Sequence, residues 1–219
     1  MTTSVFKIDD EDVSFLKEQW DYLSTVYTPD KNLKDESFQI LKEKYSEKGR
    51  FYHNLSHVKA LLNIFQTLNY KIQDHNGIQF SIWFHDVIYN TKRNDNEEES
   101  AKLASETLGR LNVNIKTIEF VKDLILATKD HSGWNLSEDG KLFLDMDLAI
   151  LGTKKEIYLE YSKAIREEYS WVPGLLYRRG RKKVLKSFIE RERIYFTEEM
   201  KERFEEQARK NIHHEMKTL

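Results

Sequence analysis

The chain has 219 residues, with 35 lysines and arginines against 37 aspartates and glutamates, and it contains no cysteine. This length suits a single domain, 1–219, with a substantial core. Balanced charge provides no overall field for long nucleic acid or an anionic membrane, and the lack of cysteine excludes disulfides, thiolate metal ligands and a cysteine nucleophile. No stretch approaches the roughly 18 apolar residues of a membrane span, and the polar N-terminus lacks a signal-peptide core, so we expect a cytoplasmic protein.

The hydrophobic pattern predicts an all-α fold. Spacing near 3.6 residues is common, strand-like alternation is scarce, and only two prolines and eight glycines are available for turns. In chain order, helices are expected over about 11–27, 33–47, 53–69, 78–89 and 97–111, then from about 118 to an end near 131–133, and over about 142–151, 154–169, 175–194 and 198–216. Thr28-Pro29-Asp30 and Pro173-Gly174 are expected to break the chain, the buried helix is expected to follow Asn76-Gly77, and Gly152 is expected to stop a helix. Thr153 and Glu156 have capping-box spacing, and Thr197 is an N-cap candidate.

The most informative segment is Ile82-Trp83-Phe84-His85-Asp86-Val87-Ile88-Tyr89, in which a histidine and an aspartate interrupt an apolar run. Residues 78–89 carry apolar side chains on every side, so a helix there should be buried all round. An unpartnered buried polar group costs about 1 to 3 kcal/mol, and an isolated carboxylate costs far more. Two interactions could offset the cost of burying this pair: binding of a metal ion, or an ordinary hydrogen bond between the imidazole and the carboxylate.

Three predicted helices each carry candidate ligands for a cation. They are His53 and His57 on the first, His85 and Asp86 on the second, and Asp145 and Asp147 on the third. His57 flanks an apolar stripe, and His53, four residues earlier, projects from nearly the same face. His85 and Asp86 point about 100° apart, so they share an ion only if it sits over the ridge between them. Such a nitrogen and oxygen set suits manganese, iron, nickel or cobalt, with zinc and magnesium also open.

The order His, then His-Asp, then Asp resembles the HD-domain superfamily of metal-dependent phosphohydrolases. Eight ordered segments over roughly residues 50–215 resemble, more narrowly, a bacterial family of predicted HD-superfamily phosphohydrolases: YHNLSHV, WFHDVIY, NEEESA, ATKDH, LDMDLAILG, YSKAIREEY, GRKKVLKSFIERERIY and ARKNIHHE. The resemblance implies an HD-domain helical bundle with its core over about 50–152, additional N-terminal helices, and a C-terminal helical extension over about 153–219.

The resemblance also implies a divalent metal ion bound by His57, His85, Asp86 and Asp147. Asp147 is preferred over Asp145 because the superfamily's last ligand often stands second in an acid-x-acid run. Asp145 stays open as the alternative ligand or as a helix cap. The implied activity is hydrolysis of a small phosphate ester or nucleotide through a metal-activated water.

Proton transfer and charge stabilisation would then need further side chains, and the catalytic candidates are His53, Glu97, Lys129 and His131. Each has a plainer interpretation as well. His53 is also consistent with an exposed residue at a helix start, Glu97 with a first-turn helix acid, and Lys129 and His131 with cations at a helix end.

Arginine suits phosphate because its planar fork matches two oxygens at once. The substrate-binding candidates are Arg166, Arg178, Arg179 and Arg181, and we favour Arg166 and Arg181, which fall in the family-like segments. Tyrosines at 52, 89, 161 and 169 either stack on a substrate or belong to the core. His213-His214-Glu215 is interpreted as surface.

Two other functions remain open: a non-catalytic HD-fold nucleotide sensor that keeps the metal, and an HD-fold diiron oxygenase. The oxygenase needs extra histidines, and only His53 and His131 are well placed for it. The expected partner is a small phosphorylated substrate, with no membrane and no long nucleic acid. The sequence leaves open the substrate, the metal, and whether the chain forms a homodimer.

Overall fold

The computed structural model describes residues 5–133 and 135–219. Within these ranges the chain is helical and contains no strand, which confirms the all-α prediction. The helices are α1 (Asp10–Thr25), α2 (Lys31–Tyr45), α3 (Leu55–Thr67), α4 (His75–Phe84), α5 (Asn96–Arg110), α6 (Ile115–Ala127), α7 (Glu138–Asp147), α8 (Lys155–Glu168), α9 (Gly174–Ile189) and α10 (Glu198–Thr218), with a 3₁₀ helix (Leu148–Gly152) after α7.

Helix α4 lies at the centre of the core. It packs against α3, α5, α6 and α7, and its residues from Phe80 to Phe84 are all completely or almost completely buried. From α1, the indole of Trp20 contacts the rings of Phe80, Trp83 and Phe84 edge-on. The sequence prediction that this segment is buried on all sides is therefore confirmed.

The bounds of α4 differ from the predicted 78–89. The helix begins at His75 because the Asp74 carboxylate accepts a hydrogen bond from the Gly77 backbone N at 2.8 Å. Asn76-Gly77 thus lies inside the helix, and the prediction that the helix follows this pair is wrong. Gly77 serves close packing, because a Cβ atom would lie 2.6 Å from the Phe120 ring.

At its other end α4 stops at Phe84, with His85 as the C-cap. The Arg50 guanidinium donates to the backbone carbonyls of Asp86 at 2.6 Å and Val87 at 2.8 Å, so these carbonyls are satisfied without a continuing helix. Asp86 therefore lies just beyond the helix, after the C-cap His85.

Helices α8 and α10 pack on the 3₁₀ helix, and α10 has the more extensive contact. A Cβ atom on Gly152 would lie 2.5 Å from both the Phe204 Cβ and its backbone oxygen, so glycine permits this contact at the end of the 3₁₀ helix. The predicted capping box is wrong. The Thr153 hydroxyl donates to the Ile150 carbonyl, and Lys154 is the N-cap of α8 without a side-chain bond.

One hydrophobic cluster extends from Leu16 in α1 to Ile212 in α10, so the first and last helices share a core with the central ones. The predicted division into a core and a C-terminal extension stays a prediction. None of the helices described is long and apolar enough to cross a bilayer.

Candidate metal centre

Three side chains from three separate helical segments converge at one point. His57 Nε2 lies 3.0 Å from His85 Nε2 and 3.1 Å from Asp147 Oδ1, and His85 Nε2 lies 3.5 Å from the same carboxylate oxygen. The ligand atoms all lie within 4.8 Å of one another. These three residues could hold a metal ion.

Helix ends place these groups. His57 lies in the first turn of α3, His85 caps α4, and Asp147 is the last residue of α7. The apolar stripes of these helices pack against one another, which brings their polar termini to the same place. Both imidazoles are buried, with only 2% and 1% of His57 and His85 exposed.

Asp86 adds a second carboxylate to this group. Its Oδ2 lies 3.1 Å from His85 Nε2 and 3.9 Å from His57 Nε2. The four residues that the family resemblance implies as ligands are thus neighbours in the structure. The His57, His85 and Asp147 atoms form the tighter group, and Asp86 lies at its edge.

The hydrogen bond at the other ring nitrogen of His85 suits ligation. Its Nδ1 lies 3.1 Å from the Ile82 carbonyl oxygen, which can only accept, so Nδ1 carries the proton. In the neutral imidazole the lone pair of Nε2 then points into the cluster. Together with the second imidazole nitrogen and the two carboxylates, this lone pair makes up a set of nitrogen and oxygen ligands that fits a divalent cation.

The charges in the cluster also suit a cation. Burial lowers the pKa of His57 and outweighs the neighbouring Asp147. Burial opposes a charge on His85, but Asp86 and Asp147 raise its pKa well above the ordinary value, so a bound cation would take the place of the proton on Nε2. Despite burial, His85 and His53 hold the pKa of Asp86 low, and His85, His131 and His57 hold the pKa of Asp147 low. Both carboxylates are therefore ionised.

His131 holds the outer oxygen of Asp147. Its Nε2 lies 2.8 Å from Asp147 Oδ2, while Oδ1 faces the two imidazoles. The His131 backbone has a φ of 50°, in the left-handed region that few non-glycine residues adopt. The Arg191 guanidinium donates to its carbonyl at 3.1 Å and helps to fix this conformation.

His53 pairs with a buried glutamate rather than with the cluster. It precedes α3, so the prediction that it shares a helix face with His57 is wrong. Its Nδ1 lies 2.6 Å from Glu168 Oε2, which also accepts from the Tyr89 hydroxyl at 2.9 Å. Glu168 Oε1 accepts the backbone N–H groups of residues 51, 52 and 53. Although burial opposes its charge, His53 and these N–H groups lower the pKa of Glu168 to about 2.

Sequence reasoning missed Glu168. In the segment Arg166-Glu167-Glu168 it resembles a solvated helix acid. Its position does carry a signal, because Glu168 continues the α8 stripe of Tyr158, Tyr161 and Ile165 at helical spacing, and all of these are buried. A charged residue on an apolar stripe requires buried partners.

A cavity of about 820 Å³ lies over this site. The predicted site residues in its lining are His53, Asp86, Glu97, Lys129, His131, Asp147 and Arg181, and the four candidate tyrosines line it as well. Arg191 also lines it and was not singled out from the sequence. The catalytic candidates therefore share one cavity with the metal cluster.

The remaining cationic candidates are placed differently. Lys129 is exposed and pairs with Glu98 at 2.5 Å, with Glu97 3.9 Å away.

Arg181 is buried against Glu215, with its Nε 2.8 Å from the carboxylate, so its charge is already paired. The interpretation of residue 215 as surface is consequently wrong, although His213 is exposed.

Arg166 does not reach the large cavity. It donates to the carbonyls of Tyr169 at 2.6 Å and Val172 at 3.2 Å, and it lines a separate groove of about 350 Å³ together with Arg178. Arg166 closes the end of α8, where cations are favoured, and Arg178 and Arg179 are exposed on α9.

Asp145 has a different role from Asp147. It accepts three hydrogen bonds of 2.7 Å, from the Phe196 and Thr197 backbone N–H groups and the Thr197 hydroxyl, immediately before α10. Burial raises the pKa of Asp145 to about 6, against the effect of these donors. Asp147, and not Asp145, thus belongs to the cluster. Thr197 is the N-cap of α10 as predicted, but its hydroxyl bonds Asp145 rather than the helix.

Comparisons of the chain with models of protein families, with curated proteins and with solved structures found no match.

Proposed function

We propose that this chain is a metal-dependent phosphohydrolase acting on a small phosphate ester, with nucleotides among the candidate substrates. The observation that carries the proposal is the convergence of His57, His85 and Asp147 beside a cavity that also holds cationic and proton-exchanging groups. The order of these residues along the chain, and its resemblance to the HD-domain superfamily, support the same function.

In this proposal His57, His85, Asp86 and Asp147 hold one divalent cation. Nitrogen and oxygen ligands without thiolate suit manganese, iron, nickel or cobalt, and also admit magnesium or zinc. When bound, such a cation polarises a phosphoryl oxygen and makes a water molecule more acidic. His131 positions the Asp147 carboxylate for this role through its bond to Oδ2.

Cations at the cavity wall would bind the phosphate. Arg191 lines the cavity, and its two terminal nitrogens also donate to the carbonyls of residues 130 and 131, which fixes the guanidinium. Lys129 also lines the cavity. Hydrogen bonds from a charged donor to phosphate oxygens are stronger than neutral ones. We therefore assign substrate binding to Arg191 in preference to Arg166.

His53 is the best placed proton carrier. Its Nδ1 is committed to Glu168 at 2.6 Å, which leaves Nε2 as the ring atom free to exchange a proton with a substrate in the cavity. Its ring stacks on Tyr89 with centroids 4.1 Å apart, which holds its orientation. The pKa of His53 is raised, because Glu168 and Asp86 outweigh burial. His53 therefore supplies a proton to a leaving oxygen near neutral pH.

The test is a phosphate-release screen on chelator-treated protein. Phosphomonoesters, cyclic nucleotides and nucleoside phosphates are each supplied with manganese, nickel, cobalt or magnesium, beside an Asp147→Asn control. We expect phosphate release that requires both metal and Asp147. Inertness under every metal, together with tight nucleotide binding, would favour the sensor. Two irons per chain would favour the oxygenase.

A further inference from the structure

Helix α9 carries an unusual concentration of positive charge. Gly174–Ile189 contains six lysines and arginines and no acidic residue, in a chain whose net charge is −2. Arg181 points inward and is buried. The other five are exposed, and we name them the α9 basic face: Arg178, Arg179, Lys182, Lys183 and Lys186.

Most of this charge is not neutralised within the chain. Lys186 lies 3.4 Å from Glu190, and both side chains are largely exposed. In the part of the chain that the structure describes, the other four residues of the α9 basic face make no ion pair. On α2 and α10, by contrast, exposed lysines pair with acids one turn away, as Lys31 does with Asp35 and Lys210 with Glu206. The α9 basic face therefore presents open positive charge to solvent.

Large apolar side chains are exposed on the same segment. Trp171, Leu175, Leu176 and Val184 are 52%, 55%, 56% and 48% exposed, and they are four of the ten large apolar residues exposed in the described ranges. Lys92 Nζ lies 5.6 Å from the Trp171 ring centroid and adds a further cation beside them. Solvent-facing apolar groups clustered among cations are typical of an interaction surface.

We propose that α9 and Trp171 bind an anionic lipid surface. Each lysine or arginine near such a surface strengthens binding roughly fivefold, and clusters of four or more basic residues on an amphipathic helix are typical of peripheral lipid binding. Tryptophan and leucine partition into the boundary between headgroups and acyl chains, which the exposed side chains at the start of α9 can reach. The expectation of no membrane contact came from the net charge, which conceals this local asymmetry.

The apolar groups distinguish a lipid surface from nucleic acid. Phosphate backbones attract lysine and arginine but offer no apolar phase for Leu175 and Leu176. Burying these leucines favours a partner with both an anionic face and an apolar layer beneath it. An anionic bilayer has both.

The position of α9 connects this surface with the large cavity. Of the four exposed apolar residues, Trp171, Leu176 and Val184 line the cavity, whereas Leu175 does not. Gly180 and Ser187, on the same flank of α9 as Leu176 and Val184, line it as well. A chain bound through α9 would therefore hold the mouth of the cavity at the lipid surface. The inference does not depend on the proposed function, because lipid binding is measured without a substrate.

The first test is sedimentation of the full chain with phosphatidylcholine vesicles, with or without phosphatidylserine. We expect binding only to vesicles containing phosphatidylserine, weakened by salt. Arg179→Glu with Lys183→Glu should lower the vesicle affinity by at least about 30-fold. The control Lys102→Glu with Lys116→Glu reverses two exposed lysines that make no ion pair in the described structure, and it should change the affinity by less than about threefold.

The second test concerns the apolar groups. Trp171→Ala with Leu175→Ala should reduce vesicle binding, whereas Val26→Ala with Ile115→Ala, which removes equally exposed side chains elsewhere, should not. Melting curves of all four variants should match the wild type, since the substituted side chains are exposed. No binding to phosphatidylserine vesicles at low salt would overturn the proposal. So would RNA binding that is tighter than vesicle binding and unaffected by the apolar variant.

Discussion

His131 Nε2 lies 2.8 Å from Oδ2 of Asp147, on the side of the carboxylate opposite the two imidazoles. Both oxygens of Asp147 are therefore held, one by His131 and one within the cluster. The left-handed backbone of His131, with a φ of 50°, aims the imidazole, and Arg191 binds its carbonyl. An uncommon backbone conformation beside the candidate metal centre is consistent with a positioning role.

His131→Ala should weaken binding of the divalent cation. Loss of a side chain that orients a ligand typically lowers metal affinity about ten- to hundredfold. Calorimetric titration of chelator-treated protein with manganese measures this. His213→Ala, which removes an exposed histidine, is the matched control and should leave the affinity unchanged. Equal affinities for His131→Ala and the wild type would exclude the positioning role.

Asp145→Asn should destabilise the fold and leave metal binding intact. The amide replaces one acceptor oxygen with a donor that faces a backbone N–H group at the start of α10. An unsatisfied buried group of this kind costs about 1 to 3 kcal/mol. Urea denaturation measures the loss, and the same variant is titrated with manganese. A variant of wild-type stability that binds no metal would reverse the roles of Asp145 and Asp147.

The sequence predicted the all-α architecture and the segments that meet at the cluster, because buried helices and polar interruptions are local patterns. Asp147 could be preferred over Asp145 only through the family resemblance, since both are acids in one apolar run. Glu168 and Arg191 were missed because their partners lie far along the chain, at His53 and at the carbonyl of His131. The stripe of α8 marks Glu168 as buried but does not identify its partner, and Arg191 follows the end of α9, outside the helical periodicity.

Helix ends were the least predictable local feature. Thr153 has the right spacing for a capping box, yet its hydroxyl bonds the carbonyl of Ile150. The end of α4 depends on Arg50, from 36 residues earlier, binding the carbonyl of Asp86. In both cases a competing hydrogen bond, invisible in the local sequence, determines the backbone.

Glu168→Gln should destabilise the protein, and the loss should depend on pH. The pKa of Glu168 falls from 4.5 to about 2 on folding, which corresponds to about 3 kcal/mol. Its contribution is present above pH 4.5 and is lost as the pH falls towards 2. The pKa of His53 is raised, so its contribution is present below pH 6.5 and is lost as the pH rises through the folded value.

The stability difference between wild type and Glu168→Gln should therefore be largest between pH 4.5 and 6.5 and smaller at alkaline pH. Chemical denaturation over this pH series measures it. Glu167→Gln, at the exposed neighbouring position, should show little difference at any pH. A difference that grows as the pH rises past neutrality would contradict the assigned pairing.

Glu215→Leu should be strongly destabilising. It leaves the buried Arg181 guanidinium without its carboxylate, and breaking a buried pair in this way costs about 3 to 5 kcal/mol. The double variant Arg181→Met with Glu215→Leu removes both charges and should recover most of the loss. Thermal melts compare the two, with the exposed Glu206→Leu on the same helix as the control. A double variant less stable than Glu215→Leu would show that the ion pair is not the cause.

The central claim is that His57, His85, Asp86 and Asp147 hold one divalent cation. The most direct test is elemental analysis of protein that has been treated with a chelator and then reloaded with manganese. The wild type is compared with Asp86→Ala and Asp147→Asn, and circular dichroism spectra check that each protein is folded. We expect one ion per wild-type chain and no bound ion in either variant. Full occupancy in Asp86→Ala or Asp147→Asn, or two ions per wild-type chain, would contradict the assignment.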